Sequence, residues 1–263
     1  KFPADFTYTM YGYTGYFILG NDIDASPSMT KTYKVGTMGR FDSQTWDTEM
    51  EGFRGVFDGR GYTIDKLHTG NSGLLGDVLE GAVIKNLSMT NAKVVDGTAG
   101  VLCFIFSRAT VENVFIDFTI TTTGGGVFGR MNKAGTLRNV VIKYTNPVKP
   151  EELKNPDNYL CGVLSTWQVQ TKYIPYPVFE NVSFIYGYGT DVSNMQAVGN
   201  SAYTSGDIKE YVVQEDGSLL KITSKKASGT NFKEYTTGQL AENEFAAFDE
   251  NIWDLNGAYP VLK

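Results

Sequence analysis

The chain has 263 residues and a mass of 29.0 kDa, long enough to bury a sizeable core without disulfides or a structural metal. Its 29 acidic against 23 basic side chains give a net charge of −6 and a pI near 4.9, which opposes sequence-independent attraction to nucleic-acid phosphates or anionic lipid. Two cysteines cannot make a disulfide framework, one histidine (His68) excludes a histidine-cluster metal site or a second-histidine triad, and no run approaches the roughly 18 apolar residues of a membrane span.

Glycine, at 29 residues, is about 11% of the chain against an ordinary level of roughly 7%, while proline is only 8, so the excess points to regular tight turns between many short strands. Lys1-Phe2-Pro3 lacks the charged and apolar regions of a signal peptide, and the chain reads as a soluble, monomeric domain of a longer protein. Residues 1–50 read as an N-terminal cap with entry strands, and Asp22-Ile23-Asp24 carries a pair of carboxylates. Two aspartates two apart on a strand face one side, as a calcium site requires, but two donors fall short of six and a solvated face is the preferred reading. Asp58-Gly59-Arg60-Gly61 has turn composition without the strand-then-helix context of a phosphate loop, so it reads as a coil corner. His68 has no indicated nucleophile or orienting carboxylate and reads as part of a surface loop.

From residue 51 to 210 the chain repeats. Gly73-Leu74-Leu75, Gly100-Val101-Leu102, Gly126-Val127-Phe128 and Gly162-Val163-Leu164 each precede an asparagine set in one pattern: Ile84-Lys85-Asn86-Leu87, Val111-Glu112-Asn113-Val114, Leu137-Arg138-Asn139-Val140 and Phe179-Glu180-Asn181-Val182. Weaker copies are read at Ile64-Asp65-Lys66-Leu67 and Ile208-Lys209-Glu210-Tyr211, making six rungs. Downstream of each asparagine, apolar residues alternate with period two, as in Val114, Ile116, Phe118 and Ile120. The spacing suits a solenoid coil and is mostly too short for a propeller blade of about 40 to 45 residues. The column Asp65, Lys85, Glu112, Arg138, Glu180, Lys209 alternates in sign, which predicts in-register stacking with these side chains outward. The asparagines read as a structural ladder of stacked amides. Cys103 is assigned the small-residue position shared with Gly76, Gly129 and Ser165, and Cys161 lies two coils further on, too far for a disulfide, so both read as free thiols.

Residues 146–159 and 165–177 add length to one coil and carry Tyr159, Trp167, Tyr173 and Tyr176. Insertions in solenoids map to loops, often on a binding face, and exposed rings can stack on sugar C–H faces; the competing reading is that the rings pack on one another. Residues 211–263 read as a C-terminal cap. A hairpin turns at Asp216-Gly217 and a short helix over Leu240, Phe245 and Phe248 is capped by Thr236 and Gln239, both covering the open end of the stack.

Phe53-Arg54-Gly55-Val56-Phe57-Asp58-Gly59-Arg60-Gly61-Tyr62-Thr63-Ile64 followed by Gly73-Leu74-Leu75-Gly76 resembles the GLUG-repeat β-helix region of bacterial surface proteins, including adhesin-like proteins and regions attached to immunoglobulin A peptidases. Trp253-Asp254-Leu255-Asn256-Gly257-Ala258-Tyr259-Pro260-Val261-Leu262 is similar to that family's closing strand. The resemblance implies a right-handed single-stranded parallel β-helix, all-β, forming a single domain over 1–263 that is secreted or displayed on a bacterial surface. It transfers no catalytic residues. The expected function is an adhesive or glycan-binding module whose partner is an extracellular glycan or host surface protein, with no cofactor, metal, nucleic acid or membrane insertion. The alternatives are a polysaccharide lyase or glycoside hydrolase, for which no carboxylate cluster beside a basic group is legible, and a passive spacer.

Overall fold

The rung pattern follows from one backbone angle. Asn86, Asn113, Asn139 and Asn181 have φ of 51°, 53°, 49° and 56°, the left-handed region that asparagine tolerates better than other residues with a Cβ. One such residue in an extended run bends the chain and shifts the inward–outward alternation by a step. The residues two before and one after each asparagine therefore both face the interior: Ile84 with Leu87, Val111 with Val114, Leu137 with Val140 and Phe179 with Val182 are all buried.

The computed structural model describes residues 14–29, 52–69, 73–95, 100–120, 126–133, 135–145, 177–190, 192, 205–226 and 233–263. Among the described residues the strands are β1 (Tyr16–Ile18), β2 (Ile23–Asp24), β3 (Val56–Asp58), β4 (Thr63–Asp65), β5 (His68–Thr69), β6 (Asp77–Val78), β7 (Val83–Val94), β8 (Gly100–Ser107) and β9 (Thr110–Ile120). They continue with β10 (Gly126–Lys133), β11 (Thr136–Tyr144), β12 (Val178–Tyr186), β13 (Ser205–Val213), β14 (Leu219–Lys226), β15 (Lys233–Gly238), β16 (Trp253–Asp254) and β17 (Val261–Leu262). A four-residue 3-10 turn, Ser26–Met29, follows β2.

One sheet runs β1-β3-β7-β9-β11-β12-β13-β14-β15, and a second runs β10-β8-β6. Every pairing from β1 to β13 in the first sheet, and all of the second, is parallel. The fold is all-β, a parallel β-solenoid of about four turns.

The inward residues stack rung on rung. Leu87, Val114, Val140 and Val182 are in register, as are Met89, Ile116, Ile142 and Phe184. They belong to one core that also takes in Val101, Leu102, Phe106 and Phe128 of the second sheet, where the Phe106 and Phe128 rings stack with centroids 4.3 Å apart.

The register corrects the outermost rungs. Phe57 pairs with Ile84 and Asp58 with Lys85, whereas Ile64 and Asp65 pair with Met89 and Thr90. The first member of the charged column is thus Asp58, not Asp65. Phe57-Asp58-Gly59 is the true first copy, with glycine at the asparagine position because an added Cβ on Gly59 would lie 2.4 Å from the Asn86 carbonyl oxygen. At the other end the pairing slips between Phe179 and Val182, so Lys209 faces Ser183 and leaves the column. Lys85, Glu112, Arg138 and Glu180 remain in register, outward and partly exposed as expected. In the second sheet Cys103 pairs with Phe128, one residue off its expected partner Gly129, because the register shifts after Gly126.

The C-terminal segment differs most from expectation. β14 does pair antiparallel with β13 through a turn in which Gly217 (φ 83°) follows Asp216, and it covers the β13 edge. Thr236 lies in β15, which pairs with β14, and not at a helix start. Residues 242–247 form successive turns closed by Glu244 N–H to Ala241 O (3.2 Å), Ala246 N–H to Asn243 O (3.2 Å) and Phe248 N–H to Phe245 O (3.0 Å), and no helix forms. From residue 240 the chain turns away from that end of the stack. It runs back along the outside of the first sheet, where Phe248, Trp253 and Leu262 bury against Phe115, Val141, Ile185 and Tyr211, and Lys263 reaches Gly61 in an early coil. These outward positions are apolar because they are a second core.

Candidate binding loops and the polar clusters of the coil

Tyr159, Trp167, Tyr173 and Tyr176 lie outside the described residues, as does Cys161. The strands that flank them are fully defined. β11 and β12 pair from Thr136 with Val178 to Tyr144 with Tyr186, and Asn181 Nδ2 donates to Asn139 Oδ1 at 3.0 Å although 42 residues separate them. The corresponding separations are 27 for Asn86 to Asn113 and 26 for Asn113 to Asn139. The rungs on either side of the added sequence are therefore in register. At the point of departure Thr145 packs against Gly187, where an added Cβ would lie 2.0 Å from Thr145 Oγ1, so glycine is required.

The ladder is a directed chain. Asn139 Nδ2 donates to Asn113 Oδ1 (3.2 Å), Asn113 to Asn86 (3.3 Å) and Asn86 to Asp58 Oδ1 (3.0 Å). Asp58 also accepts from the Tyr16 hydroxyl (2.7 Å) and the Arg60 N–H (3.0 Å), with Lys85 Nζ at 3.6 Å. Burial alone would raise the Asp58 carboxyl, but the Tyr16 hydroxyl, the Asn86 amide, the Arg60 N–H and the Lys85 charge together hold it below the usual carboxylate range. A saturated carboxylate at a ladder terminus is structural. The neighbouring Arg60 and Gly61, with φ of 54° and 83°, make the coil corner read from the sequence, closed by Tyr62 N–H to Gly59 O at 2.9 Å.

Asp65 ends a shorter ladder. It accepts from Thr90 (2.8 Å) and Asn91 (2.7 Å) and pairs with Lys66 (2.8 Å), which together take its carboxyl down to about 2. Asp22 and Asp24 do not converge: Asp22 Oδ1 accepts the Thr63 N–H (2.8 Å) and Asp24 Oδ1 the Ser26 N–H (3.0 Å). Among the described residues no group of three His, Cys, Asp or Glu side chains could hold a metal ion. His68 is not in a loop. It is half-buried in β5, paired with Lys93, and burial followed by the Lys93 charge lowers its basicity.

Two carboxylates escaped the sequence reading. Asp77 is 2% exposed; its Oδ1 accepts the Ile105 N–H at 3.2 Å while its Oδ2 has no partner among the described residues, and burial pushes its carboxyl up to about 7. Nearby Cys103 is a free, buried thiol pushed far up by burial and then by the Asp77 charge, so it is inert as a nucleophile. Glu244, whose side chain is 5% exposed, accepts from Lys221 Nζ (2.8 Å), the Tyr211 hydroxyl (2.9 Å) and the Ala241 N–H (3.3 Å), with Lys209 Nζ at 3.9 Å. It ties the C-terminal segment to β13 and β14. Glu244 has no periodic partner in the sequence, so no spacing argument could have found it. Asp58 had one, since Gly59 stands one coil before Asn86.

Comparison with protein-family models, curated proteins and solved structures finds no match for this chain. The class is defined by the fold alone, a parallel β-solenoid.

Proposed function

We propose that the chain is a secreted or surface-displayed adhesive module of a bacterial protein that binds an extracellular glycan through the sequence inserted between β11 and β12. The observation that carries the reading is the undisturbed register on either side of that insertion, with the Asn139–Asn181 rung intact. Binding residues concentrate on loops held by a rigid scaffold, and insertions at one coil position of a solenoid are the common form of this arrangement. The inserted sequence carries Tyr159, Trp167, Tyr173 and Tyr176, side chains suited to stacking on sugar rings. The resemblance to GLUG-repeat regions supports the location.

Stacking contributes through apolar area at roughly 25 cal/mol per Å², so one ring gives weak affinity and a shared platform is needed. The test is a glycan array probed with the chain and with Trp167→Ala. Binding that falls with the substitution while thermal unfolding is unchanged supports the module. Release of products from a polysaccharide would instead favour a lyase or hydrolase, and neither binding nor cleavage would favour a spacer.

A further inference from the structure

The chemistry of the remaining asparagines separates one from the rest. Each ladder asparagine is followed by leucine or valine, and its side-chain amide is held rung to rung. Asn256 is followed by Gly257, the only Asn-Gly pair in the sequence. It sits in the loop joining β16 to β17, with Asn256, Gly257 and Ala258 all exposed. No described group accepts the Gly257 N–H, and φ of Gly257 lies outside the left-handed region.

Asn251 provides an internal comparison. Asp249 Oδ1 accepts its backbone N–H and its side-chain amide, both at 2.9 Å, just as Asp254 Oδ1 accepts the same two groups of Asn256 at 3.0 and 2.6 Å. The residue after Asn251 is the β-branched Ile252, whose N–H is committed to the Asp249 carbonyl at 2.9 Å. The two asparagines share a carboxylate clamp and differ in the nucleophile that follows.

We propose that Asn256 is a site of spontaneous deamidation. The Gly257 nitrogen loses its proton to water and attacks Asn256 Cγ, forming a C–N bond. The Cγ–Nδ2 bond then breaks, and the nitrogen departs with a proton as ammonia, leaving a five-membered imide. Water opens the ring at the backbone carbonyl to give isoaspartate or at Cγ to give aspartate. The sum is amide plus water to carboxylate plus ammonium, with no redox change. Glycine permits this because no side chain obstructs the approach of its nitrogen. The product sets a second carboxylate against Asp254 where an amide donor stood. The loop joins the two strands whose Trp253 and Leu262 are buried on the outer face of the coil, so conversion loosens the C-terminal segment.

The full chain is held at mildly alkaline pH and physiological temperature for several weeks, native and in denaturant, and its peptides are followed by mass spectrometry and isoaspartate-specific methylation. Asn256 is expected to convert, chiefly to isoaspartate, at a native rate within an order of magnitude of the denatured rate, while Asn251 and the ladder asparagines persist. Gly257→Ala should slow conversion by at least an order of magnitude. An added Cβ there meets only the Tyr259 carbonyl oxygen at 3.6 Å, so the fold tolerates it. Asn256→Gln should abolish conversion. Conversion of Asn256 no faster than Asn251, a native rate far below the denatured one, or an unaffected rate in Gly257→Ala would overturn the proposal.

Discussion

Asn86 donates its side-chain amide to Asp58 Oδ1 at 3.0 Å, so the ladder of amides ends on a carboxylate. All the donors point the same way, from Asn181 towards Asp58, and the aligned bonds reinforce one another. Asn113 sits in the middle, 8% exposed, and both gives and receives a ladder bond. Asn113→Ala removes two hydrogen bonds of about 1 kcal/mol each and leaves an alanine in a left-handed conformation that costs roughly 1 to 2 kcal/mol. A loss of about 3 kcal/mol by denaturant unfolding is expected. Asn113→Gly, which keeps the backbone angle, should lose less.

The outward charges are a weaker device. Arg138 reaches Glu180 through Nε and lies 3.9 Å from Glu112 through a terminal nitrogen. All three are substantially solvated, so Glu112→Lys, between Lys85 and Arg138, should cost only about 1 kcal/mol. That small loss should shrink in high salt. A larger, salt-independent loss would mean that Glu112 packs as well as pairs.

Glu244 acts at the opposite extreme of burial. Removing it leaves the buried Tyr211 hydroxyl without its acceptor and releases Lys221, whose side chain is 39% exposed. Glu244→Ala should destabilise the chain by roughly 2 kcal/mol. Amide exchange at 241–263 should accelerate more than in β9 and β11, because the segment is anchored by this carboxylate and by Trp253. Uniform acceleration would show that the segment and the coils unfold as one unit.

Asp77 makes stability depend on pH with an unusual sign. Its folded carboxyl titrates near 7, against an ordinary value of 3.8, so the folded state holds its proton more tightly than the unfolded chain does. The contribution is fully present below pH 3.8, falls as pH rises through the interval, and is lost above about 7. Over that window it is on the order of 4 kcal/mol. Asp58, Asp65 and Glu244 have lowered values and act in the reverse direction, losing their contribution in acid. The melting temperature should therefore peak in mildly acidic solution. In Asp77→Asn, which keeps an acceptor for the Ile105 N–H, the decline towards neutral pH should flatten.

The repeated rungs were legible because a solenoid writes one local solution several times. Each coil needs an inward apolar pair, a left-handed residue between them and an outward position, so Ile84-Lys85-Asn86-Leu87 and its three strong copies carry the parallel stack in their spacing. The sequence by itself determined the all-β coil, the asparagine ladder, the outward line from Lys85 to Glu180 and the free Cys103 thiol. Only the tertiary structure decided what happens where periodicity ends. Whether Asp58 or Asp65 heads the charged column depends on how β3 and β4 divide their pairing along β7, which one strand's pattern does not state. The course of residues 240–263 was hidden for a related reason. Phe115, Val141, Ile185 and Tyr211 face away from the coil interior, and their apolar character is explained by Phe248, Trp253 and Leu262, which lie 37 residues or more further along the chain. Local spacing encodes contacts that recur at a fixed interval, and a contact made once has no interval to read.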